Sequence, residues 1–98
     1  MKIVSWNCCG KFRDKYSLME ELNEDIYVIQ ECENPELTKN KGYMNFAQNH
    51  IWIGDNKNKG LGIFAKDQIN LRNNNWESYC LRQFLSVNVN NKFNLLAV

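Results

Sequence analysis

A chain of 98 residues makes one small domain and leaves no room for a second. Hydrophobic residues at 44% and aromatics at 12% exclude a disordered chain, because that much apolar surface can offset chain entropy. Twelve Lys and Arg against eleven Asp and Glu give a formal net charge of +1, so no strong field gathers polyanions by charge alone.

At this size folding buries roughly two-thirds of the surface of the unfolded chain, so a thin core and marginal stability are expected. No stretch approaches the ~20 apolar residues of a membrane span, and the opening Met1-Lys2-Ile3-Val4-Ser5-Trp6-Asn7 turns polar too soon for a signal peptide. A cytoplasmic protein without membrane contact is expected, with its four cysteines kept as thiols. Sixteen Asn are scattered along the chain and read as a compositional bias filling loops and strand edges.

Ile3 to Trp6 is a short β-prone run, and Ile26-Tyr27-Val28-Ile29 is a second, apolar on both faces as a central strand requires. Between them Phe12, Tyr16, Met19 and Leu22 recur at spacings of four, three and three, which predicts a helix from about Lys11 to Leu22. Asn23, tolerant of the left-handed conformation, is its stop; Ser17-Leu18-Met19-Glu20 fits a capping box only if the first turn is irregular. Strand, helix and strand form a βαβ unit whose parallel strands end at one edge of the sheet.

After Cys32 the pattern changes to strands without helices. Ile51-Trp52-Ile53 and Leu61-Gly62-Ile63-Phe64-Ala65 flank the turn signal Asn56-Lys57-Asn58-Lys59-Gly60. Alternation from Leu81 to Val89, then Asn90-Asn91, then Phe93 to Val98, predicts a second hairpin. The chain stops on the core-strand composition Leu95-Leu96-Ala97-Val98 with no turn or polar tail, which reads as a strand cut short.

Asn7 and Glu31 fall at the carboxyl ends of the two parallel strands, the edge where open α/β sheets place ligands. An amide oxygen and a carboxylate are hard donors suited to Mg²⁺ or Mn²⁺, which accept one or two protein groups and fill their other positions with water and phosphate oxygens. Cys8, Cys9 and Cys32 directly follow these two residues and offer a competing thiol site for Zn²⁺ or a redox pair, with buried small-residue packing as the plain alternative. His50 is left without a chemical role, and Trp6, Trp52 and Trp76 are read as core filling.

The run Ile3-Val4-Ser5-Trp6-Asn7, the intervening helix and Asp25-Ile26-Tyr27-Val28-Ile29-Gln30-Glu31 resemble the opening motifs of the endonuclease/exonuclease/phosphatase superfamily, the DNase I-like hydrolases. Lys59-Gly60-Leu61-Gly62-Ile63-Phe64 is similar to that family's Gly-containing strand, and the closing hairpin to the strand pair before its next catalytic segment. The resemblance implies the amino-terminal half of a four-layered αββα sandwich, an α+β unit with one crossover helix and a mostly antiparallel sheet. It implies Glu31 as ligand of a catalytic Mg²⁺ (or Mn²⁺) and Asn7 as holder of a metal-bound water or phosphate oxygen. The implied substrate is a phosphate ester, nucleic acid included. The family's Asp-x-Asn and Asp-His segments have no counterpart here, so little hydrolysis is expected from these residues alone. The inner sheet face is expected to lack a partner within the chain and to drive self-association, through that face or the Leu95–Val98 edge. The other function class in view is a non-catalytic α/β module that binds a protein partner or a thiol-held metal.

Overall fold

The computed structural model describes residues 1–77 and 83–98 and is an α+β fold with two sheets and few helices. Strands β1 (Ile3–Asn7), β2 (Ile26–Cys32), β3 (His50–Asn56) and β4 (Lys59–Ala65) form one sheet in the order β1-β2-β4-β3. β1 and β2 are parallel, in register Ile3↔Ile26 through Asn7↔Gln30, as the βαβ reading requires. The remaining pairs are antiparallel, and β3 and β4 form the expected hairpin. Strands β5 (Leu71–Asn73), β6 (Leu85–Val89) and β7 (Phe93–Ala97) make a second, antiparallel sheet.

The crossover is less regular than a single helix from Lys11 to Leu22. A 3-10 turn at Phe12–Asp14 precedes helix α1 (Tyr16–Leu22), because Cys9, Gly10 and Lys11 all adopt positive φ (59°, 84° and 54°) and redirect the chain before a helix can start. Lys15 precedes α1 without a side-chain cap, so Ser17 and Glu20 lie inside the helix rather than at its start. The stop is at Asn23 as expected, left-handed at φ 52°. A second helix, α2 (Lys41–Phe46), follows β2; Asn40 caps it by accepting from Tyr43 N at 2.9 Å.

Alternation along β2 divides the core in two. Tyr27 and Ile29 join Phe12, Met19, Tyr43 and Phe64 under the helical layer, with Tyr16 and Phe46 packed at its margin. Ile26 and Val28, with Leu61, Ile63 and Ala65 of β4, face Leu85, Val87, Val89 and Ala97 of the second sheet. The expectation of an uncovered inner face is therefore corrected: the chain supplies its own second sheet, and β6 and β7 cover that face. Each large aliphatic there contributes roughly 1.5–3 kcal/mol. Exposing both halves of this layer would cost more than the roughly 5–15 kcal/mol of net stability a domain has. The β6–β7 turn uses Asn90 and Asn91 at φ 55° and 57°, closed by Lys92 N on Val89 O at 2.9 Å.

Other expectations change. Of the strand expected from Leu81, residues 81 and 82 lie outside the described residues, and pairing starts at Leu85. Trp76 is exposed rather than in the core, while Trp6 and Trp52 are half-buried against the helical layer. Among the described residues no helix is long and apolar enough to cross a membrane.

Candidate metal and phosphate site

Ser5 and Asn7 of β1 pair with Val28 and Gln30 of β2 and project to the side of the second sheet, opposite Val4 and Trp6, which pack with the helical layer. Regular alternation would send Glu31 the other way, with Ile29. It does not go there: pairing of β2 with β4 slips between Gln30 and Cys32, and Glu31 sits in the bulge at φ 59°. A bulge of this kind re-aims one side chain, and the left-handed backbone costs roughly 1–2 kcal/mol for a non-glycine residue. The result is that Asn7 Nδ2 donates to Glu31 Oε2 at 2.8 Å. The two residues singled out in the sequence are in direct contact at the shared edge.

The surroundings hold this arrangement in place. Asn7 Oδ1 accepts the Cys9 amide at 3.0 Å, which fixes the amide with its NH₂ toward the carboxylate. The Cys8 thiol reaches the carbonyls of Gln30 and Glu31, each at 3.3 Å, and Trp52 Nε1 donates to Cys32 O at 3.1 Å. The carbonyls around the bulge thus keep polar partners, with Gln30 O also accepting the Cys8 amide at 3.2 Å. Trp52 comes this close because its indole lies over Gly54 and Gly60, where any Cβ would collide with it. The turn of the β3–β4 hairpin brings Lys59 Nζ to 3.7 Å from Glu31 Oε1.

Glu31 opens into a cleft of about 510 Å³, bordered by Asp55, Asn56, Lys59, Gln83 and Val98. Gln30 Nε2 spans the adjacent wall, donating to Ser5 Oγ at 3.2 Å and to Val98 O at 3.4 Å. The carboxyl ends of β1, β2 and β7 therefore meet around this cleft, between the two sheets.

The donor set suits a hard divalent cation. One carboxylate, more than a third exposed, is oriented by an amide on one oxygen and faces an ammonium on the other. Mg²⁺ needs no more than one or two protein oxygens when water and phosphate supply the rest. Asn7 presents its nitrogen to Glu31 and its oxygen to the Cys9 amide, so it orients the Glu31 carboxylate and would not itself offer a free oxygen to a cation.

The thiols make a poor rival. Cys8 and Cys32 are buried and Cys9 is exposed, and among the described residues no three of His, Cys, Asp and Glu gather as metal ligands. Burial, and then its neighbour Cys8, pushes the Cys32 thiol up to about 12, and burial likewise raises Cys8, so both remain protonated at neutral pH. His50 serves the fold: Nδ1 bonds Ala47 O and Nε2 lies 3.8 Å from Glu36. Cys80 lies outside the described residues.

Sequence reasoning missed Lys59 and Asp55 as neighbours of Glu31. The turn signal around Lys59 was legible, but its reach to the edge depends on the β4–β2–β1 strand order. Comparison with protein-family profiles, with curated proteins and with solved structures returns no match.

Proposed function

We propose that this chain forms the amino-terminal part of a Mg²⁺-dependent phosphoesterase of the endonuclease/exonuclease/phosphatase type. The single observation that carries the reading is the Asn7–Glu31 hydrogen bond at the carboxyl ends of two parallel strands, made possible by a strained bulge. The left-handed backbone at Glu31, beside a cleft, supports this reading. The order of layers, helices on one sheet and a second sheet behind it, supports the same type as the αββα resemblance.

Glu31 would hold the cation, Asn7 keeps the carboxylate aimed, and Lys59 offsets its charge while the cleft is free of cations. Bound Mg²⁺ supplies polarisation of a phosphoryl oxygen and charge neutralisation. The chain's own residues bind and orient; the sequence contains neither an Asp-x-Asn nor an Asp-His segment to position a water or a leaving group. Residues 1–98 alone are therefore expected to hydrolyse little.

The experiment is a Mn²⁺ titration of the 98-residue chain followed by amide NMR. Broadening centred on Asn7, Glu31 and Lys59, abolished in Glu31→Gln, is the expected result. Broadening that is absent, or unchanged in Glu31→Gln, overturns the reading. Extending the reading frame past Val98 is the companion test, and strands bearing Asp-x-Asn and then Asp-His should restore phosphodiesterase activity.

A further inference from the structure

A second cleft, of about 440 Å³, lies on the other side of the β3–β4 turn. Its walls are the loop after β2 and the turn itself, joined by Asn34 N on Lys57 O at 2.7 Å. Arg13, Lys39 and Lys57 border it, and among the described residues neither lysine has an ion-pair partner. Buried Glu33 is the one carboxylate among the described residues on its wall, so three cations against one anion leave +2 in the cleft.

Glu33 and Arg13 are what make this more than a group of surface lysines. Glu33 accepts from Arg13 Nη1 at 2.9 Å and from Arg13 N at 3.2 Å. That pins the guanidinium through one nitrogen while the side chain stays 45% exposed, leaving the rest of its donor fork free. A fixed arginine with unspent donors suits two oxygens of one phosphate. Asn40 Nδ2, on Arg13 O at 3.4 Å, secures the same segment.

The two clefts are neighbours. Asn56 and Lys59 border the first and Lys57 and Asn58, between them in the turn, border the second, while Glu33 is two residues beyond Glu31. The opposite end of the molecule has the reverse charge: Glu20, Glu24 and Asp67 line the cleft there, with Lys66 held by Asp25. A net charge of +1 thus conceals an uneven surface, with the Arg13–Lys39–Lys57 cleft basic and the Glu20–Glu24–Asp67 cleft acidic.

We propose that the Arg13–Lys39–Lys57 cleft is an anion subsite for a second phosphate group carried by the ester acted on at Glu31. For its reaction this rests on the phosphoesterase reading; for binding it does not.

The test is binding to the 98-residue chain in EDTA, with a hexamer oligodeoxynucleotide, a sugar bisphosphate and a sugar monophosphate as probes, followed by amide NMR and anisotropy. Shifts at Arg13, Lys39 and Lys57 are expected with the oligonucleotide or the bisphosphate and weaker ones with the monophosphate; which of the two binds more tightly identifies the source of the second phosphate. Lys39→Ala/Lys57→Ala should lower that affinity by about tenfold or more, and with the oligonucleotide flatten the salt slope by about 1.4, two charges at ~0.7 each. Because EDTA keeps any cation off Glu31, binding under these conditions separates failure of the metal site from failure of this cleft. Equal affinity for monophosphate and bisphosphate together with no oligonucleotide binding, or binding unaffected by the double variant, overturns the proposal.

Discussion

Asn7 Nδ2 stands 2.8 Å from Glu31 Oε2 although the two residues would face opposite sides of a regular sheet. The bulge at Glu31 creates the contact and the Cys9 amide locks the donor, so in the proposed metal site Asn7 would act on a cation through Glu31. Asn7→Ala should keep the fold and weaken Mn²⁺ binding by about 10–100-fold, the range for losing a partner that orients a ligand. Isothermal titration calorimetry on both proteins reads this directly; equal affinities would assign Asn7 to the fold alone.

Lys59 should act with the opposite sign. Its ammonium, 3.7 Å from Glu31 Oε1, stands where a cation would approach. Both groups are well exposed, so the attraction is modest and screened by salt. Lys59→Met is expected to raise Mn²⁺ affinity a few-fold at low salt, with the gain fading as ionic strength rises. A fall in affinity would mean that Lys59 helps to build the site.

Gly60 bears on stability and site together. A Cβ there would run into the Trp52 indole and the Ile53 carbonyl, neither of which can retreat without disturbing the β3–β4 pairing. Gly60→Ala should cost about 1–3 kcal/mol, as overpacking does. Because Trp52 also holds Cys32 O beside the bulge, the same variant should shift the Glu31 amide resonance. Urea unfolding and NMR check the two parts, and Gly54→Ala, which meets only the ring of Trp52 and the Gly60 Cα, should be milder.

Legibility in the sequence follows from how local the determinants are. The parallel pair, the Asn23 stop and the Asn90–Asn91 turn were readable because apolar runs and left-handed Asn act within a few residues. Helix α2 was not, since six residues with Tyr43 and Phe46 as its apolar anchors give too short a period to detect. The second sheet was hidden for a similar reason: β5 has three residues, and nothing in β6 or β7 states which sheet they join. At the site, Asn7 and Glu31 were legible as strand ends, whereas the bulge falls at a Glu that no propensity marks as left-handed.

Tyr43 lies fully buried and its hydroxyl donates to Glu33 O at 2.6 Å, fastening α2 to the wall of the second cleft. Tyr43→Phe leaves that carbonyl without its partner and should cost about 1–3 kcal/mol, the range for a buried group left unpaired. Denaturant midpoints measure it. If the stability is unchanged, water must reach Glu33 O once the hydroxyl is gone.

Asp25 sets the acid limit at the other end of the sheet. Its carboxylate accepts the Lys2 amide at 2.8 Å and lies 3.5 Å from Lys66 Nζ, joining the start of β1 to the end of β4. The Lys2 hydrogen bond, and then the Lys66 charge, hold its pKa below the usual carboxylate value. A depressed folded-state pKa stabilises the fold above the unfolded value, near 3.9, and that contribution disappears as pH falls through the folded value. Asp25→Asn should therefore be less stable than the parent at pH 7, and the gap should narrow as pH falls below the unfolded value and close only below the lowered folded-state value, where both side chains are neutral. Urea midpoints at pH 7, 4 and 2.5 give the comparison. A gap of constant size across that range would mean that Asp25 acts through shape and neutral hydrogen bonding, with no part played by its charge.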